Sequence, residues 1–269
     1  MENREIFSNL TTIPPIFVRL DGRTFHRLAD CLGLEKPFDE FFHNGMVTAC
    51  TSLVAESGLN PDFAYTFSDE ISLYFTKLPF SGRVEKIDSV AASYAASSFT
   101  LALGGTTLVS FDARVIPATP AYAVEYLANR QAEAWRNHIN AYCQQALIEE
   151  GMNARKAAEK LKGLHAKDLH EMMHIRGFNL ATTPAWQRRG TFVYKKLTEK
   201  EGFNPITKET VIAERSAVFA ESELPLFTSP EGKEFLAKVL GGVEKPGSDF
   251  DPEIADRFRN ENRSPIFPE

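Results

Sequence analysis

Apolar positions along this chain change their spacing from block to block, and each spacing predicts an element. Ile16-Phe17-Val18-Arg19-Leu20 follows a double proline and reads as a short buried strand that ends at Asp21-Gly22. From about Phe38 to Glu56, Phe38, Phe41, Phe42, Met46, Ala49, Leu53 and Val54 recur at helical spacing, and Ser57-Gly58 supplies a stop. Phe63-Ala64-Tyr65-Thr66-Phe67 and Ile71-Ser72-Leu73-Tyr74-Phe75 are strand-like runs separated only by Ser68-Asp69-Glu70, which places those three residues at a tight hairpin. An alanine-rich stretch from about Val84 to Leu103 predicts a closely packed helix closed by Gly104-Gly105, after which Leu108-Val109-Ser110-Phe111 returns as a strand.

That order of elements is the split βαβ, or ferredoxin-like, pattern: an α+β fold with an antiparallel sheet and two helices on one face, shared with polymerase palms. A second part follows. It comprises a long helix from about Tyr122 to Glu150, a basic helical pair up to His174, and a hairpin of Thr191-Phe192-Val193-Tyr194 with Thr210-Val211-Ile212-Ala213 around Asn204-Pro205. From about Gly241 onward Gly, Pro, Asp, Glu and Arg dominate, which predicts a loosely held tail. The expected organisation is a palm-like core over 1–120, a helical and hairpin part over 121–240, and a tail over 241–269.

Composition narrows the class. With 269 residues, 43% apolar and 11% aromatic, the chain can bury a substantial core. No apolar run approaches the ~20 residues that cross a bilayer, and Glu2, Arg4 and Glu5 precede any hydrophobic stretch, so no signal peptide and no membrane association are expected and the cytoplasm is the expected compartment. Cys31, Cys50 and Cys143 form no CxxC pair and read as small core residues in a reducing compartment. The net charge of -6 is unevenly spread. Between Arg155 and Lys196, Arg155, Lys156, Lys160, Lys162, Lys167, Arg176, Arg188, Arg189, Lys195 and Lys196 meet only Glu159, Asp168 and Glu171. Such a surface can neutralise a phosphate backbone, although solvated helix faces also look this way.

The carboxylates carry the chemistry. Asp21 lies at the exit of the first strand and Asp69-Glu70 at the hairpin between the next two. In a split βαβ sheet those strands are neighbours, so two or three carboxylates reach one edge, where hard oxygen ligands can hold Mg²⁺ and nucleotide phosphates complete the shells. Gly22 leaves room for a triphosphate against the backbone. Arg23-Thr24-Phe25-His26 adds N–H groups at a helix start and donors for phosphate oxygens. Taken singly, an Asp-Gly turn or an acidic hairpin tip is ordinary surface. A different motif, His170-Glu171-Met172-Met173-His174, has zinc-hydrolase spacing. A third ligand is missing because the third-histidine position is Leu180, with Glu199 a more distant alternative, so two polar residues on a basic helix explain it more simply.

Several separated segments go further. Val18-Arg19-Leu20-Asp21-Gly22-Arg23-Thr24-Phe25-His26, Lys36-Pro37, Phe67-Ser68-Asp69-Glu70-Ile71-Ser72, Ala95-Ala96-Ser97-Ser98, Phe111-Asp112-Ala113-Arg114, Arg130-Gln131-Ala132-Glu133 and Arg189-Gly190-Thr191 resemble the ordered motifs of the tRNA(His) guanylyltransferase family, over roughly Pro14 to Arg215. The resemblance implies a palm-type core in which Asp21, the Gly22 carbonyl and Asp69 bind two Mg²⁺ ions with Glu70 in support. It implies nucleotide contacts from Asp21 to His26 (Asp21, Gly22, Arg23, Thr24, Phe25, His26), Lys36, Ser68 and Asp69. Arg83 and Lys86 match basic positions for a second triphosphate, and Arg130, Arg188 and Arg189 match positions for the tRNA, Arg189 near its reacting 5′ end. The implied chemistry activates a 5′-monophosphorylated tRNA with ATP. The 3′-hydroxyl of GTP then attacks with release of AMP; a 5′-triphosphate acceptor skips the activation.

One departure shapes the subtype. The eukaryotic H-I-N-N-like motif is replaced by Trp135-Arg136-Asn137-His138, so the chain is more similar to archaeal and bacterial-type members, expected to add nucleotides against a template and to repair tRNA 5′ ends. The family also implies a homotetramer that shares one tRNA. The competing reading is a non-catalytic tRNA-binding module that kept the basic surface.

Overall fold

The computed structural model describes residues 5–105, 107–204 and 209–241. Six strands form one antiparallel sheet in the order β4-β1-β3-β2-β5-β6: β1 Ile16–Gly22, β2 Phe63–Phe67, β3 Glu70–Phe75, β4 Phe111–Pro117, β5 Thr191–Asn204 and β6 Glu209–Glu221. The β4-β1-β3-β2 part is the expected split βαβ topology. The C-terminal hairpin continues that sheet, because Thr191–Tyr194 of β5 pair with Thr66–Phe63 of β2. The tail expected beyond Gly241, and Pro205, expected between the two hairpin strands, lie outside the described residues.

Strand alternation divides the core into two layers. On one face Ile16, Val18, Leu20, Ile71, Leu73 and Phe75 pack beneath α2 (Glu40–Ala55) and α3 (Val84–Ala102). Asp39 caps α2 by accepting from Phe42 N–H at 2.8 Å, and Ala91 and Ala95 let α3 approach the sheet closely. On the other face Phe17, Phe63, Tyr65, Tyr74 and Phe192 pack against α4 (Pro120–Glu149) and, from the C-terminal part, α8 (Pro230–Leu240). The distal half of α4 forms a separate cluster with α5 (Ala154–Leu161) and α6 (Ala166–Ile175). Two short helices, α1 (Phe25–Leu32) and α7 (Ala185–Arg189), complete the set that matters for the site. Among the described residues, no helix is long and apolar enough to cross a membrane.

Two sequence expectations are corrected. The last palm strand begins at Phe111 rather than ending there, and Leu108 is 92% exposed. Phe111, Ala113 and Val115 alternate inward while Asp112 and Arg114 point to the other face, a pattern that charged residues disguise as loop. Cys50 and Cys143 are buried, and burial pushes their thiols up to about 12 and about 11, whereas Cys31 is exposed.

A buried histidine, His138, and a half-buried one, His43, give the fold a pH limit. Burial pushes His43 and His138 down to about 4, with the charges of Arg188 and His170 adding to the effect at His138. His138 is held by Thr183 Oγ1 at 2.9 Å and stacked on Trp135. Folding favours the neutral rings, so their contribution is complete above the ordinary value of 6.5 and is lost as pH falls towards 4. Urea midpoints should therefore drop between pH 7 and 4.5, and His138→Gln should flatten that drop; an unchanged slope would contradict the assignment.

Candidate active site

The end of β1 is where the acids meet. Asp21 lies directly across from Glu70 of β3 on one side and from Asp112 of β4 on the other, so the three side chains leave the same face of the sheet, the one covered by α4. The β2–β3 connection is the two-residue loop Ser68-Asp69, with Ser68 at φ 51°, and it folds back onto β1: Gly22 N–H donates to Asp69 O at 3.1 Å. Ser68 Oγ donates to Asp69 Oδ1 at 3.2 Å. Residues from two distant stretches of chain thus share one rim.

Beyond β1 the chain turns at once. Thr24 adopts φ 59° and starts α1, which keeps Arg23, Thr24 and His26 beside the rim; Arg23 N–H donates to Ser110 O at 2.9 Å. Phe25 is driven under Gly22 and fills the space a side chain there would need, since an added Cβ would meet the Phe25 ring at 2.8 Å.

The electrostatics are those of charges half withdrawn from water. Burial raises the Asp69 carboxyl above its ordinary range. A backbone hydrogen bond opposes this, the Asp21 charge reinforces it, and Ser68 and His26 oppose it. Burial also raises Glu70, against the pull of Arg130 and Arg19, with Asp21 adding to the rise. Glu70 Oε2 accepts from Arg130 Nη1 at 3.1 Å, while its Oε1 is buried without a hydrogen-bond partner. Like charges directly across a strand pair repel. The rim therefore stores repulsion that a cation would relieve.

The other candidate residues divide by place. Arg188 and Arg189 end α7 just before β5, and Tyr65 Oη donates to Arg189 O at 2.7 Å, so this corner adjoins the β2 side of the rim. Arg188 Nε donates to Thr183 O at 3.0 Å and Arg189 Nη1 to Leu224 O at 2.7 Å. Lys36, in the loop between α1 and α2, pairs with Asp30 of α1 at 3.2 Å. Arg83 and Lys86 open α3 beside Thr11 and Gly82, at the sheet end marked by Ile16, Phe75 and Pro117. A seven-residue strand spans ~20 Å, so within one chain they stand a sheet length from Asp21. Arg130 is turned inward onto Glu70. Arg19, Asp112 and Arg114 received no role from sequence, yet they line the same face of β1 and β4; only the register of the strands shows it.

His170, Glu171 and His174 border a cavity of about 290 Å³ with Lys167, Phe178, Asn179 and Leu180. Leu180 is buried, and among the described residues no group of three or more His, Cys, Asp or Glu is arranged to hold a metal. That deprives the zinc spacing of its third ligand. It also means that at the rim the side chains supply only part of a cation's shell.

A βαββαβ sheet with an acidic rim at the end of its first strand defines the class: an α+β protein with a palm-like sheet and a carboxylate site. Residues 1–119 match the family model described as Thg1, tRNAHis guanylyltransferase. The probable tRNA(His) guanylyltransferase of Dictyostelium discoideum is 30% identical over 223 residues, covering 77% of this chain and 86% of that protein. The tRNA(His) guanylyltransferase 1 of Arabidopsis thaliana is 29% identical over 268 residues, 91% of this chain, but the chain spans only 46% of that longer protein. A bacterial tRNA(His) guanylyltransferase (Thg1)-like protein, solved in complex with GTP, shares the fold with a TM-score of 0.66 at 24% identity, over 87% of this chain and 93% of that one. The chain belongs to the tRNA(His) guanylyltransferase family.

Proposed function

We propose that the protein is a nucleotidyltransferase that extends tRNA 5′ ends in the 3′-to-5′ direction, adding guanylate or templated nucleotides, in the cytoplasm and as a homotetramer. The observation that carries this reading is the meeting of Asp21 and Asp69 at one rim, in a family whose members are described as tRNA(His) guanylyltransferases. The GTP complex of the bacterial relative supports a nucleoside triphosphate as one substrate.

The donor set fits Mg²⁺. Hard, mutually repelling carboxylate oxygens and the Gly22 carbonyl offer what that ion prefers, and triphosphate oxygens would supply the remaining positions. Asp21, Gly22 O and Asp69 would hold two ions, with Glu70 in support; when bound they lower the pKa of the attacking hydroxyl and neutralise the leaving group. The chain's own part is positioning and charge. Gly22 admits the Phe25 ring that anchors the turn rather than opening space for the triphosphate, Arg23, Thr24 and His26 would face the triphosphate, and Ser68 orients Asp69. Lys36 would reach the nucleotide by exchanging Asp30 for a phosphate. Arg188 and Arg189 would steer the acceptor end. Arg83 and Lys86, a sheet length away, would serve a second triphosphate only through another subunit or a folded-back nucleotide. ATP would transfer its adenylyl group to the 5′-monophosphate with loss of pyrophosphate, and the 3′-hydroxyl of GTP would then attack that phosphorus and displace AMP.

The test is direct. Protein, labelled GTP, ATP, Mg²⁺ and a tRNA lacking its first nucleotide should give a product one nucleotide longer at the 5′ end. Absence of extension across histidine and 5′-truncated tRNAs, with tRNA affinity intact and indifferent to Mg²⁺ and GTP, would leave a non-catalytic RNA-binding module instead. Stoichiometric zinc in the purified protein would reopen the hydrolase reading.

A further inference from the structure

We infer that Arg130 is a positioning residue that sets the acidic rim through Glu70, rather than a contact to the RNA backbone; this rests on the nucleotidyltransferase reading above. Arg130 follows Tyr126 by one turn of α4. The Tyr126 ring stacks on Phe17 at 4.1 Å, and its hydroxyl lies 2.9 Å from Ser72 Oγ. Arg130 Nη1 lies 3.1 Å from Glu70 Oε2. Four helical residues rise ~6 Å and two strand residues ~7 Å, so positions 126 and 130 on the helix match positions 72 and 70 on β3. Helix and strand are thus joined at two consecutive points, one hydrogen bond and one ion pair.

The neighbouring residue locks that alignment. Gln131 is buried; its Nε2 donates to Pro225 O at 3.0 Å and its Oε1 accepts from Phe227 N–H at 2.7 Å, so α4 cannot slide without breaking the chain's approach to α8. The Arg130 and Glu70 side chains are only 21% and 14% exposed. An RNA phosphate could take Arg130 only by stranding Glu70, and an unpaired buried charge is costly. Glu70 in turn stands across from Asp21 and next to Asp69 in the chain, so its placement fixes the spacing of both. Arg130 and Tyr126 from α4, Arg19 and Asp21 from β1, and Tyr65 from β2 are the charged and titratable groups that face it.

The experiment compares Arg130→Met, Arg130→Lys, Glu70→Gln and the Arg130→Met/Glu70→Gln pair in the full chain. Single-turnover extension is read against GTP concentration, and tRNA affinity is read without Mg²⁺ at several salt concentrations. Arg130→Met should slow the chemical step by about 100-fold, the scale on which a small misplacement acts, with little change in half-saturating GTP. Arg130→Lys should recover part of that loss, since it keeps the charge but not the fork, and it also serves if the Met variant fails to fold. The double variant should be no slower than the slower single one, as expected for residues acting as a unit. Affinity for tRNA and its salt slope should be unchanged. Multiplicative losses, an Arg130→Met enzyme as fast as wild type, or a salt slope lowered by about one would overturn the assignment, the last by showing a phosphate contact. A wild-type protein that extends no tRNA removes the nucleotidyltransferase reading itself and the positioning role of Arg130 with it, while the affinity arm still reports whether Arg130 touches RNA.

Discussion

Asp69→Asn should reduce 5′ nucleotide addition by about a thousandfold or more, yet leave the metal-free protein as stable as wild type or more so. The loss in rate, ~4 kcal/mol of transition-state stabilisation, follows from removing one of two carboxylates that would hold the ions. The stability follows from the same charge. Burial, and after it the charge on Asp21, raise the Asp69 carboxyl above its ordinary 3.8. A carboxyl raised in the folded state favours folding when protonated, and the fold gives up that advantage as pH climbs through the raised value. At neutral pH the ionised group is therefore a burden, and an amide of the same shape lifts it. Thermal melts in chelator and in Mg²⁺ separate the two effects. Wild type should gain stability with Mg²⁺ by linkage, while Asp69→Asn should start level or higher and gain little. A variant clearly less stable in chelator would sink the electrostatic account, and one that still extends tRNA would remove Asp69 from the chemistry.

Gly22→Ala should lower both the stability of the fold and the rate of nucleotide addition. Its Cβ would come within 2.8 Å of the Phe25 ring. That ring cannot retreat, because it stacks on Phe99 at 5.4 Å and meets Phe111 and Phe42 edge-on at 5.1 and 5.9 Å. The backbone must yield instead, at ~1–3 kcal/mol. The yielding segment is the one whose N–H holds Asp69 O and whose carbonyl is proposed to meet the ions. Extension should fall by ~100-fold, in keeping with a displacement of less than an ångström at reacting groups. Urea denaturation and the extension assay together check it. A variant with wild-type stability and rate would show that the turn has slack.

Much of the palm was legible because its elements are locally consistent. β1, α2, the β2–β3 hairpin and α3 each carry the period of the element they form, and the element order leaves few topologies. That was enough to send Asp21 and Asp69 to one edge. The observed β4 lies several residues beyond the expected one because Asp112 and Arg114 sit on its rim-bearing face, where charge is tolerated. Exposure of Cys31 was equally hidden: α1 is a short surface helix, and nothing in one turn of sequence says which side will be covered.

What the sequence determined by itself was the periodicity of each segment, the pair of acids at strand ends and the motifs that mark the family, all properties of neighbours along the chain. The tertiary structure alone decided the rest. It laid α4 on the second face, turned Arg130 onto Glu70 across 60 positions, set Asp112 opposite Asp21, and left Arg83 and Lys86 at the far end of the sheet. Those relations depend on register and on which helix covers which face. Both are fixed only when distant apolar surfaces are buried together, because a shift of one residue in a strand moves every side chain to the opposite layer.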